Sequence, residues 1–298
     1  MGKRLLVTGY GGFVAGSVVA QAGTEWDVIA LSRSPVSDGC VRIVPFQLDL
    51  REQDRLSQVF DETQPTAVIH TAAIANIDYC ETNQDVAEAV NVDVTQQLSE
   101  LCQQHNARMV FCSTDTVFDG TRGMYVEEDT PHPLNYYGET KLRAEHIVQE
   151  QLDDAIVARL ALVMGFPLIG AGNSFLARMI ASFREGTPVS MPENEIRTPV
   201  DVVTLGRALL ELAGSNHTGI IHLGGDTRLN RYEMGGQIAK HLGYPQDLVQ
   251  PTNSNAMPGR AARPDDASLD NAKAMQVLKT PMLSLTKALD LILETAEQ

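Results

Sequence analysis

A chain of 298 residues, 43% of them hydrophobic, can bury a sizeable core as one large domain or as a domain with a smaller appendage. Its formal charge of -15 argues against a nucleic-acid backbone as partner, no apolar run approaches the roughly 20 residues that span a bilayer, and the N-terminus lacks the apolar stretch and cleavage site of a signal peptide. Cys40, Cys80, Cys102 and Cys112 form no CxxC pair and are too sparse for a disulfide framework, so packed, reduced thiols, no metal site, no membrane contact and a cytoplasmic protein are expected.

The first element is Leu5-Leu6-Val7, a short buried strand running into Gly9-Tyr-Gly-Gly12 and a helical segment from Phe13 to Ala22. Gly9 and Gly12 permit a tight turn and close backbone approach. The helix start at Phe13 and Val14 offers unpaired N–H groups and a positive dipole end to a pyrophosphate. An ordinary strand-to-helix turn is the alternative. Trp26 to Leu31 reads as a second strand ending in Ser32-Arg33-Ser34. An acidic residue is common there in an NAD site, whereas hydroxyls with a guanidinium suit the extra phosphate of NADP. NADP(H) is the expected cofactor, with dual use of NAD(H) left open and a solvated loop arginine as the alternative.

Val41 to Phe46 reads as a third strand, followed by a helix from about Arg51 to Glu62. Asp49 and Leu50 are placed to border an adenine, and Asp49 is equally suited to cap that helix. Thr66 to Thr71 is a fourth strand, and the small residues Thr71, Ala72 and Ala73 let a cofactor lie close at the sheet edge where ligands bind. His70 reads as a packed, hydrogen-bonded group rather than a general base. Tyr79 to Asn106 carries Val86, Ala89, Val90, Val94, Leu98, Leu101 and Cys102 at helical spacing and reads as one long helix facing a core or a partner helix. Arg108 to Ser113 is the fifth strand. Such alternation predicts an α/β fold, a doubly wound parallel sheet covered on both faces.

Tyr137 and Lys141 are four apart at the start of a helix reaching about Leu152, so they share a face and the ammonium favours the ionised phenol. Such a pair can move a proton at a carbonyl oxygen near neutral pH, although a free phenol titrates near about 10. Ala155 to Leu160 is another strand, and after about Gly165 the elements shorten. Helices are expected over 174–185, 202–212, 231–242 (capped by Asn230) and 283–295, with a strand over 219–223. Pro245 to Asp266 lacks periodicity, and a loop of that length is often functional. Residues 1–164 should form a Rossmann-type nucleotide-binding domain, rejoined by about 198–225, and 165–298 mainly a smaller substrate-binding lobe.

Thr8-Gly-x-x-Gly12, Asp49-Leu50, His70-Thr-Ala-Ala73, Ser113-Thr-Asp-Thr-Val-Phe-Asp-Gly120 and Tyr137-Gly-x-x-Lys141, in this order and spacing, resemble the extended short-chain dehydrogenase/reductase superfamily. More narrowly, the Ser113 motif, Pro133-Leu-Asn-Tyr-Tyr137-Gly and Arg260-Ala-Ala-Arg-Pro264 with Leu269 five residues on are similar to the dTDP-4-dehydrorhamnose reductase family. The resemblance implies NADP(H)-dependent reduction of the C4 keto group of a nucleotide-linked 4-keto-6-deoxy sugar. By it, Tyr137 is the acid, Thr114 the hydroxyl of the catalytic triad, and Lys141 the residue that orients the nicotinamide ribose and tunes the tyrosine. Asn76, Asp115, Arg260 and Arg263 are the expected substrate contacts, the two guanidiniums at its pyrophosphate. Surface arginines paired with Asp265 and Asp266 are the alternative.

Nucleotide-sugar dehydratases of the superfamily follow the triad threonine with Asp-Glu, and Asp115-Thr116 lacks the glutamate, which disfavours dehydration and leaves an epimerase open. Ala15 stands where a third glycine is common and is small enough to keep helix and strand close. The family also resembles the regulatory β-subunit of methionine adenosyltransferase, so a cofactor-binding protein that serves a partner enzyme is the rival reading. A homodimer through 79–106 and 136–152 is open beside a monomer whose core those helices fill.

Overall fold

The strand and helix alternation of the sequence produces one parallel sheet. The computed structural model describes residues 2–35, 43–170, 172 and 174–297. In the first half run β1 (Lys3–Thr8), α1 (Phe13–Gln21), β2 (Trp26–Ser32), β3 (Ile43–Gln47), α2 (Gln53–Thr63), β4 (Ala67–His70), α3 (Ile77–Thr82), α4 (Gln84–Glu88), α5 (Val94–His105), β5 (Arg108–Thr114), α6 (Tyr136–Gln151) and β6 (Ala155–Leu160). There follow β7 (Val163–Met164), α7 (Phe175–Arg184), β8 (Val189–Pro192), β9 (Ile196–Arg197), β10 (Val200–Asp201), α8 (Val202–Ala213), β11 (Gly219–Leu223), β12 (Leu229–Asn230), α9 (Arg231–His241), β13 (Val249–Thr252), α10 (Ala272–Val277) and α11 (Leu285–Ala296).

Seven strands pair in the order β11-β6-β5-β4-β1-β2-β3, every pairing parallel. Strands β4, β5 and β6 are buried along their whole length, which is why they read as apolar runs without alternation. One face of the sheet packs against α1, α8 and α10 through Val18, Leu205, Leu209 and Ala274, the other against α2, α5 and α6 through Phe60, Leu98 and Val148. The fold is therefore the expected Rossmann-type doubly wound sheet. A third core joins α7, α9 and α11 to β8 and β13, with Met179, Ile238 and Leu289 at its centre. The strand order reverses at β1, between β2 and β4, and the carboxyl ends of the strands at such a reversal are where an open α/β sheet binds its ligands.

Several expectations are corrected. The third strand is described over Ile43–Gln47, one residue past the expected end, and Val41 and Arg42, like Cys40, lie outside the described residues. The single helix over 79–106 is three helices: Asn83 leaves helical geometry at φ -131 and ψ 57, and Ala89–Asp93 forms one π-helical turn before α5. Pro245–Asp266 is not irregular throughout, since Val249–Thr252 pairs in parallel with Val189–Pro192. Asp49 does not cap α2, which starts at Gln53, because its carboxylate is taken by Arg51 at 2.7 and 3.0 Å. Cys80, Cys102 and Cys112 are buried free thiols. Among the described residues no helix is long and apolar enough to cross a membrane.

Candidate active site

The glycine turn is shaped by the strand beside it. Gly9 has φ +76, and a Cβ there would stand 3.1 Å from the Ala72 Cα, so β1 and the segment after β4 approach as closely as backbone allows. Gly12 donates its N–H to the Gly9 carbonyl at 2.9 Å and sits at the N-cap of α1, which has neither a side-chain cap nor an acidic residue in its first turn. Among the described residues no side chain caps the leading N–H groups at Phe13 and Val14, which fits a pyrophosphate. After β2, the Ser32 hydroxyl accepts from the Ser34 N–H at 3.1 Å, and Arg33 is exposed. Asp49 shares its surroundings: the hydrogen bond from Arg51 holds its carboxyl at about 2, and the Arg33 charge adds to that. Leu50 beside it is buried.

A chain of hydrogen bonds runs from this turn to α6. The Thr8 hydroxyl accepts from the N–H groups of Thr71 and Ala72, both at 3.1 Å, so its own proton goes to His70 Nδ1 at 2.7 Å. His70 then donates from Nε2 to the Thr95 hydroxyl (3.2 Å), which donates to the Asn91 carbonyl (2.8 Å). Asn91, on the π turn, donates from its amide to the Thr140 hydroxyl at 3.0 Å and binds both backbone groups of Ile74. Thr140 closes the chain on the Tyr137 carbonyl at 2.8 Å. Burial, with the Lys141 charge, pushes His70 down to about 3, so it stays neutral and serves as a strut.

Helix α6 brings the expected catalytic residues together. A Cβ on Gly138 would lie 2.6 Å from the Thr116 carbonyl, so the start of α6 rests directly on the short turn Asp115–Val117 that follows Thr114. Asn135 caps the helix at the Gly138 N–H (2.9 Å) and donates to the Ala262 carbonyl (2.9 Å), tying the late arginine segment to the same point. The Tyr137 hydroxyl faces Thr114, and its ring packs in one cluster with Cys80, Ala87, Ile74 and Ile77. Burial pushes the phenol well above its ordinary value, outweighing the Thr114 bond. The sequence reading expected Lys141 to favour ionisation; desolvation wins instead, and Tyr137 keeps its proton at neutral pH. Lys141 Nζ stands 4.0 Å from the centre of the Phe111 ring, and burial draws it down to about 8 against the charges of Cys112 and Glu145.

Beneath the site, the Ser113 hydroxyl donates to Glu145, which receives Arg159 through Nε and Nη2 at 3.1 and 2.8 Å. This pair, one turn beyond Lys141, is 1% and 2% exposed and locks α6 to β5 and β6.

Asn76, Asp115, Arg260 and Arg263 all line one cavity of about 620 Å³, which begins at Ala73 beside the glycine turn. Thr114, Tyr137 and Lys141 do not line it directly: they are 8%, 9% and 2% exposed, in the wall next to Asp115. Asn76 caps α3 through the Tyr79 N–H at 3.0 Å. Arg263 pairs with Asp78, at 2.6 and 2.7 Å, and not with Asp265 or Asp266. Asp115 accepts from the Thr116 hydroxyl at 3.2 Å, stands 3.4 Å from Arg197 Nε, and is raised by burial above the usual carboxylate range. The sequence reading missed Glu195, Arg197 and Arg231, which supply further charges to the lining, and Asn91. The strong capping signal Asn230-x-x-Glu233 fixes Arg231 as the first residue of α9, the one local hint available.

A family model described as the RmlD substrate binding domain matches residues 3–298. The chain is 28% identical over 294 residues to the dTDP-4-dehydrorhamnose reductase of Mycobacterium tuberculosis, covering 96% of this chain and 91% of that protein. It is 30% identical over 280 residues to methionine adenosyltransferase 2 subunit beta of Pongo abelii, covering 91% and 81%. The crystal structure of dTDP-4-dehydrorhamnose reductase from Bacillus anthracis in complex with NADP has the same fold, with a TM-score of 0.87, 24% identity and 99% of each chain covered. A family match over almost the whole length, on a seven-stranded sheet of this order, means that the chain belongs to the RmlD substrate binding domain family of the extended short-chain dehydrogenase/reductases.

Proposed function

We propose that the protein reduces the C4 keto group of a nucleotide-linked 4-keto-6-deoxy sugar with NADPH, residues 1–164 and the returning 198–225 segment holding the cofactor and 165–298 mainly the sugar nucleotide. The observation that carries this reading is the buried Tyr137–Thr114 contact beside Asp115, between the glycine turn and an arginine-lined cavity. The glycine turn at Gly9 and Gly12, with Thr71, Ala72 and Ala73, would hold a nicotinamide dinucleotide, which when bound would supply the hydride. Tyr137, protonated at neutral pH, gives its proton to the sugar carbonyl oxygen as negative charge grows there. Thr114 hydrogen-bonds the same oxygen, so donors stand in place before charge develops. Lys141 orients the cofactor ribose by charge, and His70, held neutral, adds no competing cation.

The test is oxidation of NADPH by dTDP-linked and UDP-linked 4-keto-6-deoxy sugars; turnover with at least one supports the reading, and none with any, despite tight NADPH binding, overturns it. The relationship to methionine adenosyltransferase 2 subunit beta keeps a regulatory protein as the second reading, which that result would favour.

Two consequences are measurable. Lys141 is a cation below about 8 and loses its charge as pH rises through that value. Cofactor orientation needs the cation, so kcat/KM should be flat up to neutrality and fall about tenfold per pH unit above the Lys141 value. A rise over that range contradicts the role. Arg33→Ser removes the guanidinium expected at the NADP phosphate; a charge-assisted hydrogen bond of about 1.5–3 kcal/mol corresponds to a roughly 10- to 100-fold weaker Kd for NADPH. NADH affinity should change less than about twofold by the same reasoning. Equal losses for both cofactors sink the assignment.

A further inference from the structure

Each proton given by Tyr137 leaves a phenolate behind, and burial makes that anion costly, so the site needs a way to re-protonate it. The tyrosine is 9% exposed and does not line the cavity, which leaves solvent badly placed to return the proton. Asp115 stands between the two. It lines the cavity, and it follows directly on Thr114, the hydroxyl that Tyr137 faces.

Three side chains close a ring at this point. Asp115 Oδ1 accepts from the hydroxyls of Thr114 at 3.3 Å and Thr116 at 3.2 Å, and the two hydroxyls lie 3.2 Å apart. Backbone fixes the ring in place. The Thr116 N–H donates to the Thr114 hydroxyl at 3.2 Å, and the start of α6 rests on the same turn, where a Cβ on Gly138 would fall 2.6 Å from the Thr116 carbonyl. Hydroxyls rotate, so Thr114 can pass a proton on as well as donate its own. The second carboxyl oxygen, Oδ2, is buried with no hydrogen-bond partner among the described residues, 3.4 Å from Arg197 Nε. Burial raises the Asp115 carboxyl against the pull of Arg197 and the two threonine hydroxyls, and the Glu195 charge adds to the rise. An acid held above its usual range at a cavity wall can give up one proton and regain it from water.

We propose that Asp115 re-protonates Tyr137 through the Thr114 hydroxyl, with Thr116 holding the donating oxygen. This rests on the reductase reading above and deepens it, since Asp115 then acts toward the tyrosine rather than toward the sugar. Once Tyr137 has given its proton to the C4 oxygen, the phenolate takes the Thr114 hydroxyl proton and Thr114 takes the Asp115 carboxyl proton. One O–H bond breaks at Asp115, one forms at Tyr137, and Thr114 ends unchanged. The carboxylate left behind accepts from both threonines in the geometry described, beside Arg197, until water protonates it again. The net proton of each turnover comes from solvent.

The test uses the full chain with NADPH and a dTDP-linked or UDP-linked 4-keto-6-deoxy sugar that wild type reduces, followed by stopped flow and at steady state. Tyr137 starts protonated, so Asp115→Asn should keep the first turnover within about threefold of wild type and slow later ones about 10²-fold, the usual worth of a positioned acid. KM should fall together with kcat, leaving kcat/KM within about threefold for the same reason. Formate, a small acid able to enter the cavity, should restore part of the steady-state rate. A sugar contact at Asp115 predicts the opposite pattern, a raised KM and a slowed first turnover. Thr116→Val leaves every charge in place and should show the same split at about 2- to 10-fold, the worth of one neutral hydrogen bond. If Asp115→Asn is unfolded, the split in Thr116→Val decides alone. Equal slowing of first and later turnovers, or a raised KM, overturns the relay while leaving the reductase reading intact. A wild type that oxidises NADPH with none of the sugars overturns both.

Discussion

Tyr137→Phe is expected to lower kcat for ketosugar reduction by about 10²- to 10⁴-fold, the usual worth of a positioned proton donor, and to leave NADPH affinity within about twofold. The separation of effects follows from how the side chain is held. Its ring packs against Cys80, Ala87, Ile74 and Ile77, contacts that phenylalanine repeats, so the variant loses one hydroxyl and no core volume. Thr114 keeps hydrogen bonds to the Thr116 N–H (3.2 Å) and to the Thr116 and Asp115 side chains, so the turn should hold its shape. Steady-state reduction beside a fluorescence titration with NADPH gives both numbers. Near-normal turnover would remove Tyr137 from the mechanism.

Glu145→Leu is expected to destabilise the fold by about 3–5 kcal/mol, the cost of leaving one member of a buried ion pair uncompensated. Arg159 is 2% exposed and has the Glu145 carboxylate as its charged partner; its remaining described neighbours are His222 Nε2 at 3.4 Å and the Phe118 ring at 5.0 Å. Burial, then the Arg159 charge, pushes His222 down to about 3, so it stays neutral, and a histidine in either protonation state offers Arg159 no negative charge. Activity should suffer with stability, because Ser113, which donates to the same carboxylate, immediately precedes Thr114. The double variant Glu145→Leu/Arg159→Met removes both charges and should recover most of the loss. Urea unfolding of the single and double variants decides it: a single-variant loss under about 1 kcal/mol would show that the pair is not the anchor of α6.

Local chemistry was legible and assembled chemistry was not. Gly9 and Gly12, Tyr137 and Lys141, and the small residues Thr71 to Ala73 each announce a role within a few positions of chain, because a turn, a helical face or a strand end is a short-range object. The break in the helix over 79–106 escaped notice because periodicity registers apolar spacing, and a π turn at Ala89–Asp93 shifts the face by one residue without disturbing composition. Asn91 sits on that turn, where a 3.6-residue helix would aim it elsewhere. Glu195, Arg197 and Arg231 reach the cavity through the two-residue pairing of β9 with β12, Leu229 against Arg197 and Asn230 against Ile196, a contact across some thirty positions that neither segment signals alone. For Arg263 the residue type was informative but its partner was not, since Asp78 lies 185 positions away. The Tyr137 phenol shows the same limit: spacing places an ammonium near it, while its burial, which dominates, is a property of the whole fold.

Transfer of deuterium from the reactive face of [4-²H]NADPH to the sugar is the most direct measurement of what the site does. Incubation with a dTDP-linked or UDP-linked 4-keto-6-deoxy sugar should give a product one mass unit heavier, labelled at sugar C4, with no label in the Tyr137→Phe reaction. Bound NADPH that stays fully deuterated while the sugar is recovered unreduced and unlabelled would contradict a reductase and leave a cofactor-binding regulatory protein.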